Sequence, residues 1–275
     1  MGGKPAGTPT AAPRPPGGQL TKPFIVVQLS DSHIGANWTR GDPAARWRAA
    51  IESVAGLDDP ADAVLVSGDL AEHGADGEYA IVRAALEALD VPTYVLPGNH
   101  DDRAALRAHF GLGGEADEPV RYAIELGPIR IAVLDTTKPG QDSGRLEGGQ
   151  LDWLDAELSD APDRTTLLAM HHPPFATGMR AWDAIGLAAG ARAALSDVIR
   201  RHPNVVRIVS GHVHCPLTAE LAGCVAITAP STYVQARPSF ESDELHLFDE
   251  SAAFAVHAVR GNDVVSYVQP VTIPA

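Results

Sequence analysis

Short apolar runs that break off repeatedly at Asp, His or Asn constrain this 275-residue chain more than any bulk property does. Phe24 to Leu29 is followed by Asp31-Ser32-His33, Ala63 to Ser67 by Gly68-Asp69, and Thr93 to Leu96 by Gly98-Asn99-His100-Asp101. Thr166 to Met170 leads into His171-His172-Pro173-Pro174, and Val205 to Val209 into Gly211-His212-Val213-His214. Runs of this length, rich in β-branched residues and bounded by Gly or Pro, read as strands. Helical spacing lies between them, at Pro43 to Ala55, Tyr79 to Leu89 (Ile81, Leu86 and Leu89 on one side), Arg103 to Phe110, Leu151 to Leu158 and Arg192 to Arg201. That alternation implies crossover connections and largely parallel strands. In such sheets the carboxyl ends of neighbouring strands converge on one crevice, where ligands bind. Six of the eleven histidines therefore face a common place.

The second half adds Tyr122 to Leu126 and Ile129 to Leu134, joined through Gly127-Pro128 as a hairpin. Beyond it the chain turns strand-rich, at Val225 to Thr228, Leu245 to Phe248, Phe254 to Val259 and Val264 to Val268. The expected architecture is α/β, a four-layer αββα sandwich of two mixed sheets packed face to face and flanked by helices. Residues 22–275 suit one domain of roughly 250 residues. Residues 1–21 are mostly Gly, Pro, Ala and Thr, too poor in apolar side chains to offset ordering entropy, and read as a disordered tail. That stretch lacks the apolar core of about 7–15 residues that a secretory signal needs, so a cytoplasmic location is expected. No run approaches the ~18 apolar residues of a membrane span.

Net charge is −14, from 35 acidic and 21 basic residues. A nucleic-acid polymer, which calls for a basic patch, is thereby disfavoured as a partner. A small anionic substrate is still compatible, provided bound cations supply positive charge locally. Cys215 and Cys224 have no CxxC partners; ordinary thiols in a reducing compartment are favoured over a disulfide between them. The strand-rich C-terminal part offers a surface for a homodimer contact.

A single Asp or His at a strand end is usually a cap or a turn residue. Eight such groups at convergent strand ends (Asp31, His33, Asp69, Asn99, His100, His171, His212 and His214) point instead to a shared ion-binding site. In extended chain, residues i and i+2 share a face, so Asp31 and His33 can grip one ion. Glycines 68, 98 and 211 let the backbone turn beside the site without a Cβ in the way. The donors are oxygen and imidazole nitrogen throughout, which suits Mn, Fe, Zn or Co. His171 is favoured over His172 as the ligand of its motif. Histidines 73, 109, 202, 246 and 257 have no such context and read as surface or edge-strand residues. Asp101 and Asp102 read as helix caps, Asp101 with a second option of orienting His100. Phe175, Met179, Trp182 and Asp183 lie in the loop beyond His171, where substrate contacts often reside.

In this order and combination, Asp31-x-His33, Gly68-Asp69, Gly98-Asn99-His100-Asp101, His171 and Gly211-His212-x-His214 resemble the motif set of the calcineurin-like metallophosphoesterases. More narrowly, Asp135, His171-His172-Pro173-Pro174-Phe175 and Ala229-Pro230-Ser231-Thr232 are similar to the bacterial class III cyclic nucleotide phosphodiesterases and their glycerophosphodiesterase relatives. The resemblance implies two metal ions, one held by Asp31, His33, Asp69 and His214 and the other by Asp69, Asn99, His171 and His212. Asp69 bridges them in that scheme, and His100 stands beside the leaving group as a catalytic, non-ligand imidazole. Asn99, His100, Phe175 and Asp183 are the candidate substrate contacts. The implied reaction is hydrolysis of a small phosphodiester, foremost a 3′,5′-cyclic nucleotide, by a metal-bound hydroxide. The alternatives are a glycerophosphodiesterase, a broad phosphomonoesterase, or a non-enzymatic binding scaffold. The last would be expected to have lost ligands, and no motif position is missing here.

Overall fold

A computed structural model describes residues 22–271; the tail expected over residues 1–21 lies outside the described residues. The first half alternates as its apolar runs require: β1 (Phe24–Leu29), α1 (Pro43–Ala55), β2 (Ala63–Val66), α2 (Asp76–Leu86), β3 (Thr93–Val95) and α3 (Arg103–Phe110). A hairpin of β4 (Tyr122–Leu126) and β5 (Ile129–Val133) follows, then α4 (Gly148–Asp160), β6 (Thr166–Ala169), α5 (Arg180–Ala184), α6 (Ala189–Arg201) and β7 (Val205–Ser210). The remainder is β8 (Thr218–Leu221), β9 (Cys224–Thr228), β10 (Gln235–Ala236), β11 (Leu247–Phe248), β12 (Ala253–Arg260) and β13 (Asp263–Pro270).

One sheet has the order β13-β12-β1-β2-β3, with β1, β2 and β3 parallel and the two C-terminal strands antiparallel. The other has the order β4-β5-β6-β7-β9-β8, with a parallel centre of β5, β6, β7 and β9 and an antiparallel strand at each edge. Three layers of apolar contact hold four layers of structure. Trp47, Val54, Tyr79 and Val82 from the first helices pack on Val27, Leu29, Val64 and Val66. Val26, Leu65, Ile131, Leu167 and Val209 meet between the sheets, and Leu154, Leu158, Leu195 and Ile199 cover the second sheet. The αββα sandwich expected from the sequence is the observed fold. Strands buried on both faces explain why their sequences are continuously apolar and not alternating.

Local signals account for most boundaries. Asp42 accepts a hydrogen bond from the Ala44 amide ahead of Pro43, which starts α1. Asp102 caps α3, and Gly111, at φ 65°, ends it. Helix α2 departs from the expected register. It begins at Asp76, so its buried stripe is Tyr79, Val82 and Leu86, and Ile81 is 40% exposed on another face. The hairpin β8–β9 escaped the sequence pattern because its first strand is half exposed; its two-residue turn, Ala222-Gly223, has φ of 54° and 84°. His257, expected at the surface or an edge, is fully buried on β12, an interior strand.

The two faces of α2 are separable by mutation. Leu86→Ala should cost about 2–5 kcal/mol in chemical denaturation, and Ile81→Ala less than about 0.5 kcal/mol. Equal costs would refute the assigned face.

Candidate metal centre

The loops that leave β1, β2, β3, β6 and β7 meet at one end of the sandwich. Those after β1 and β2 continue side by side beyond their strands: the Asp31 amide donates to the Gly68 carbonyl, His33 to Asp69 and Ile34 to Leu70. Bending this tightly forces unusual backbone. Among the described residues, six non-glycine residues have φ in the left-handed region, and five of them are Asp31, His33, Asp69, His212 and His214. An L-residue there is disfavoured by roughly 1–2 kcal/mol, and such strain persists where a site requires it. Gly68 reaches φ 100°, and a Cβ on Gly98 would overlap the Asp69 carboxylate.

Three groups of donors result, Asp31 with His33 and His214, Asp69 with His171 and His212, and a third in which His33 and Asp69 meet His100; within each group the donor atoms lie within 4.8 Å of one another. In the first, His33 Nδ1 donates to Glu72 Oε2 at 2.8 Å and His214 Nδ1 to the Val234 carbonyl at 2.9 Å. Both Nε2 atoms then present lone pairs, and they face each other at 3.1 Å. Burial pushes His214 down to about 4 and also lowers His33, so no proton relieves this opposition at neutral pH. A cation does. With metal–nitrogen bonds of about 2.0–2.1 Å, two imidazoles on one ion stand roughly 3.0–3.4 Å apart. Asp31 Oδ1 lies 3.5 Å from His214 Nε2.

In the second group, Ser67 accepts the His171 Nδ1 proton through its carbonyl at 2.8 Å. His171 Nε2 is thereby aimed at Asp69 Oδ2 and Asn99 Oδ1, 3.2 Å from each. His212 Nδ1 is 3.1 Å from the same Asn99 oxygen, and its buried Nε2 has no hydrogen-bond partner among the described residues. Asp69 joins the groups. Its Oδ1 accepts the His100 amide at 2.9 Å, leaving Oδ2 between His171 Nε2 and His33 Nε2, the latter at 3.6 Å. Burial alone would raise this carboxyl, but His171, by charge and hydrogen bond, holds it well below the usual range. Conversely, burial pulls His171 down while Asp69 lifts it to about 9. The donor set would fit two divalent ions, with the Asp69 carboxylate facing both groups.

Other residues singled out in the sequence fall elsewhere. His172 has both nitrogens occupied, by Thr136 Oγ1 at 2.8 Å and the Asp142 carbonyl at 2.9 Å, and burial pushes it down to about 3. Asp101 neither caps α3 nor touches His100 through a recorded bond; its carboxylate accepts the Leu70, Ala71 and Gly98 amides and the Tyr79 hydroxyl, tying the β2 and β3 loops together. Phe175 is buried against α4 and α6 in the second sheet's core, away from the cleft. Asp183 uses both oxygens on Thr177 and Gly178 in its own loop. His100 does face the site. Its Nδ1 is 3.2 Å from the Glu72 carbonyl, its side chain is 28% exposed, and Nε2 is left for a ligand.

A cleft of about 320 Å³ opens over both groups, walled by Trp38, Trp182, Ile185, Leu245 and Leu247. Trp38 was not anticipated from sequence, although it stands only five residues beyond His33; its ring centroid lies 4.4 Å from that imidazole. Glu72, three residues beyond Asp69, was also missed, because only the folded loop turns its carboxylate onto His33.

Fold and site define a phosphoesterase class, and the chain belongs to the calcineurin-like phosphoesterase family, whose model matches residues 24–216. It is 35% identical over 253 residues to the glycerophosphodiester phosphodiesterase GpdQ of Enterobacter lignolyticus, covering 89% of this chain and 90% of that protein. It is also 35% identical over 217 residues to a probable cyclic nucleotide phosphodiesterase of Rhodococcus erythropolis, covering 76% and 70%. Among solved structures, a dimetal phosphatase from Danio rerio shares the fold with a TM-score of 0.68 at 19% identity, over 91% of this chain and 100% of that one.

Metal uptake by the chelated protein should displace the His171 proton. Because Asp69 lifts that group to about 9 in the metal-free protein, affinity for the ion at His171 should rise about tenfold per pH unit up to pH 9 and then level, with about one proton released at that site alone at pH 7. Calorimetry in buffers of different ionisation enthalpy measures this, and pH-independent binding between 6 and 9 would contradict it.

Proposed function

We propose that this protein is a dinuclear-metal phosphodiesterase for small phosphodiesters, with 3′,5′-cyclic nucleotides as its preferred class. The observation that carries the reading is the placement of Asp69 Oδ2 between two imidazole groups, each completed by a further oxygen donor. In this reading Asp31, His33, Asp69 and His214 hold one ion, and Asp69, Asn99, His171 and His212 the other. The O and N donors suit Mn, Fe or Zn. Such a pair supplies charge to clamp the phosphoryl oxygens and lowers the pKa of a bound water toward neutrality.

The chain's own groups do the rest. Asn99, whose Oδ1 lies against His171 and His212, lines the cleft, and in this reading its amide nitrogen would donate to a phosphoryl oxygen. His100 Nε2 is free to give a proton to the leaving alkoxide, because Nδ1 is engaged by the Glu72 carbonyl. Burial lowers the His100 pKa, but the Asp69 and Glu72 charges outweigh it and raise the group, favouring the acid form. The indole of Trp38 and the side chains of Leu245 and Leu247 form an apolar wall that fits a planar base better than a glycerol.

A glycerophosphodiester is the second reading. It is favoured by a polar trough beyond His100, about 660 Å³, with Thr137, Lys138, Gln141 and Asp142 along it. Phe175 and Asp183, expected as substrate contacts, are left out of this reading because their side chains are committed elsewhere. Two buried free thiols, Cys215 and Cys224, agree with a cytoplasmic setting. Among the described residues no helix is long and apolar enough to cross a membrane.

The test is hydrolysis of 3′,5′-cyclic AMP, glycerophosphoethanolamine, bis-p-nitrophenyl phosphate and p-nitrophenyl phosphate by chelator-stripped protein, with and without Mn²⁺. Metal-dependent diester cleavage well above the monoester supports the class, and the ratio of the first two substrates decides between the readings. Inactivity on all four with metal bound would overturn both. His100→Ala should lower kcat about 10²–10⁴-fold with both ions retained; an unchanged kcat removes it from the mechanism. Trp38→Ala should raise KM for cyclic AMP about tenfold, the loss of one stacking contact, and leave KM for glycerophosphoethanolamine alone.

A further inference from the structure

Beneath the candidate metal centre, the apolar seam between the sheets is interrupted by one buried polar chain. Gln28 sits on β1, three residues before Asp31, fully buried on the face that meets the other sheet. Its amide nitrogen donates to Ser67 Oγ at 2.8 Å and to the Ser210 carbonyl at 2.9 Å. Its Oε1 accepts from His257 Nε2 at 3.1 Å, and His257 Nδ1 accepts from the Ser266 hydroxyl at 2.9 Å. The carboxamide has every hydrogen atom committed. Its three partners come from three strands or their ends and from both sheets.

Two of those partners, Ser67 and Ser210, are the exit points of ligand-bearing loops. Ser67 precedes Gly68-Asp69, and its carbonyl fixes the ring of His171. Ser210 precedes Gly211-His212, and the Gly211 amide returns to the His171 carbonyl at 3.0 Å. Gln28 itself leads through Ser30 to Asp31, and Ser30 Oγ is 2.8 Å from Ser67 Oγ. One side chain thus ties together the roots of the segments bearing Asp31, Asp69, His171 and His212. Burying a carboxamide and an imidazole among valines and leucines costs desolvation that an apolar pair would not incur. Where both partners of a buried polar pair are replaced by apolar groups of similar shape, stability changes little or rises. Fold stability therefore gives no reason for this pair to be polar, whereas ligand placement does.

We propose that Gln28, oriented by His257, is a positioning residue that sets the spacing of the two donor groups by locking the ends of β1, β2 and β7. The inference rests on the dinuclear reading of the site and adds to it a residue that touches neither ion. Groups that hydrogen-bond a metal ligand directly typically contribute about 10–100-fold in metal affinity, and Gln28 acts one step further out, through Ser67 and Ser210.

The experiment compares wild type with Gln28→Leu/His257→Phe, both stripped with chelator, by Mn²⁺ titration calorimetry and by melting temperature without metal. The expected result is at least tenfold weaker uptake of one ion, with the metal-free melting temperature equal to or above that of wild type. Wild-type affinity for both ions in the double variant overturns the positioning role, whatever its melting temperature. Should the double variant fail to fold, Ser67→Ala replaces it. That change cuts one arm of the chain and removes no apolar contact, so a tenfold loss supports the proposal and unaltered uptake refutes it. Fewer than two ions in wild type would instead bring down the dinuclear reading itself.

Discussion

Two imidazole nitrogens whose lone pairs point at each other 3.1 Å apart, buried and without a proton between them, state the central constraint on this molecule. Donors of one sign are collected where water cannot screen them, and the folded chain must supply whatever holds them there. Asp69 concentrates the same problem in one oxygen shared by both groups. In the proposed dinuclear reading a pair of cations would resolve the opposition, and the candidate ligands are aimed in advance by partners that consume their other atoms: Glu72 for His33, Val234 for His214, Ser67 for His171 and the His100 amide for Asp69. Each of these bonds fixes a tautomer or an oxygen, which makes the geometry specific and not merely crowded.

Everything beneath the site serves to keep those loops from relaxing. Five left-handed residues cannot be maintained by their own local preferences, so the strain is held by the sandwich. The parallel strands deliver the loops to a single edge, and three apolar layers fix the strands relative to one another. Asp101 laces the β2 loop to the β3 loop with three backbone amides. Gln28 does the corresponding work lower down, between the sheets. The polar groups here are structural in location and functional in consequence, because apolar packing alone supplies cohesion without specifying a spacing to a few tenths of an ångström.

Above the donor groups the character changes. An indole and several aliphatic side chains wall one side of the cleft, while His100 opens toward a polar trough on the other. A phosphodiester has two substituents and needs room on both sides of phosphorus, which this arrangement provides. The family relation covers the phosphoester chemistry, and in the proposed reading the walls built by loops around Trp38, Trp182 and Leu245 would select among diesters.

The sequence by itself determined the order of strands and helices, the sandwich class and the candidate ligand set, because these depend on local chemistry: apolar runs of strand length, Gly beside Asp or His, and Asp before a helix. His171 and His172 are neighbours of identical chemistry, and only their folded partners separate them, one aimed at Asp69 and the other spent on Thr136 and Asp142. Phe175 and Asp183 looked equally suited to a substrate loop until packing committed one to the core and the other to its own turn. Ile81 lies off the buried face because α2 packs through Tyr79, Val82 and Leu86, and five residues of helix set Ile81 about 140° from Leu86. Trp38, Glu72, Gln28 and His257 acquire their roles from segments up to 229 residues away. Side-chain direction and the meeting of distant segments are set by the three-dimensional packing of the sheets, and no periodicity along the chain encodes them.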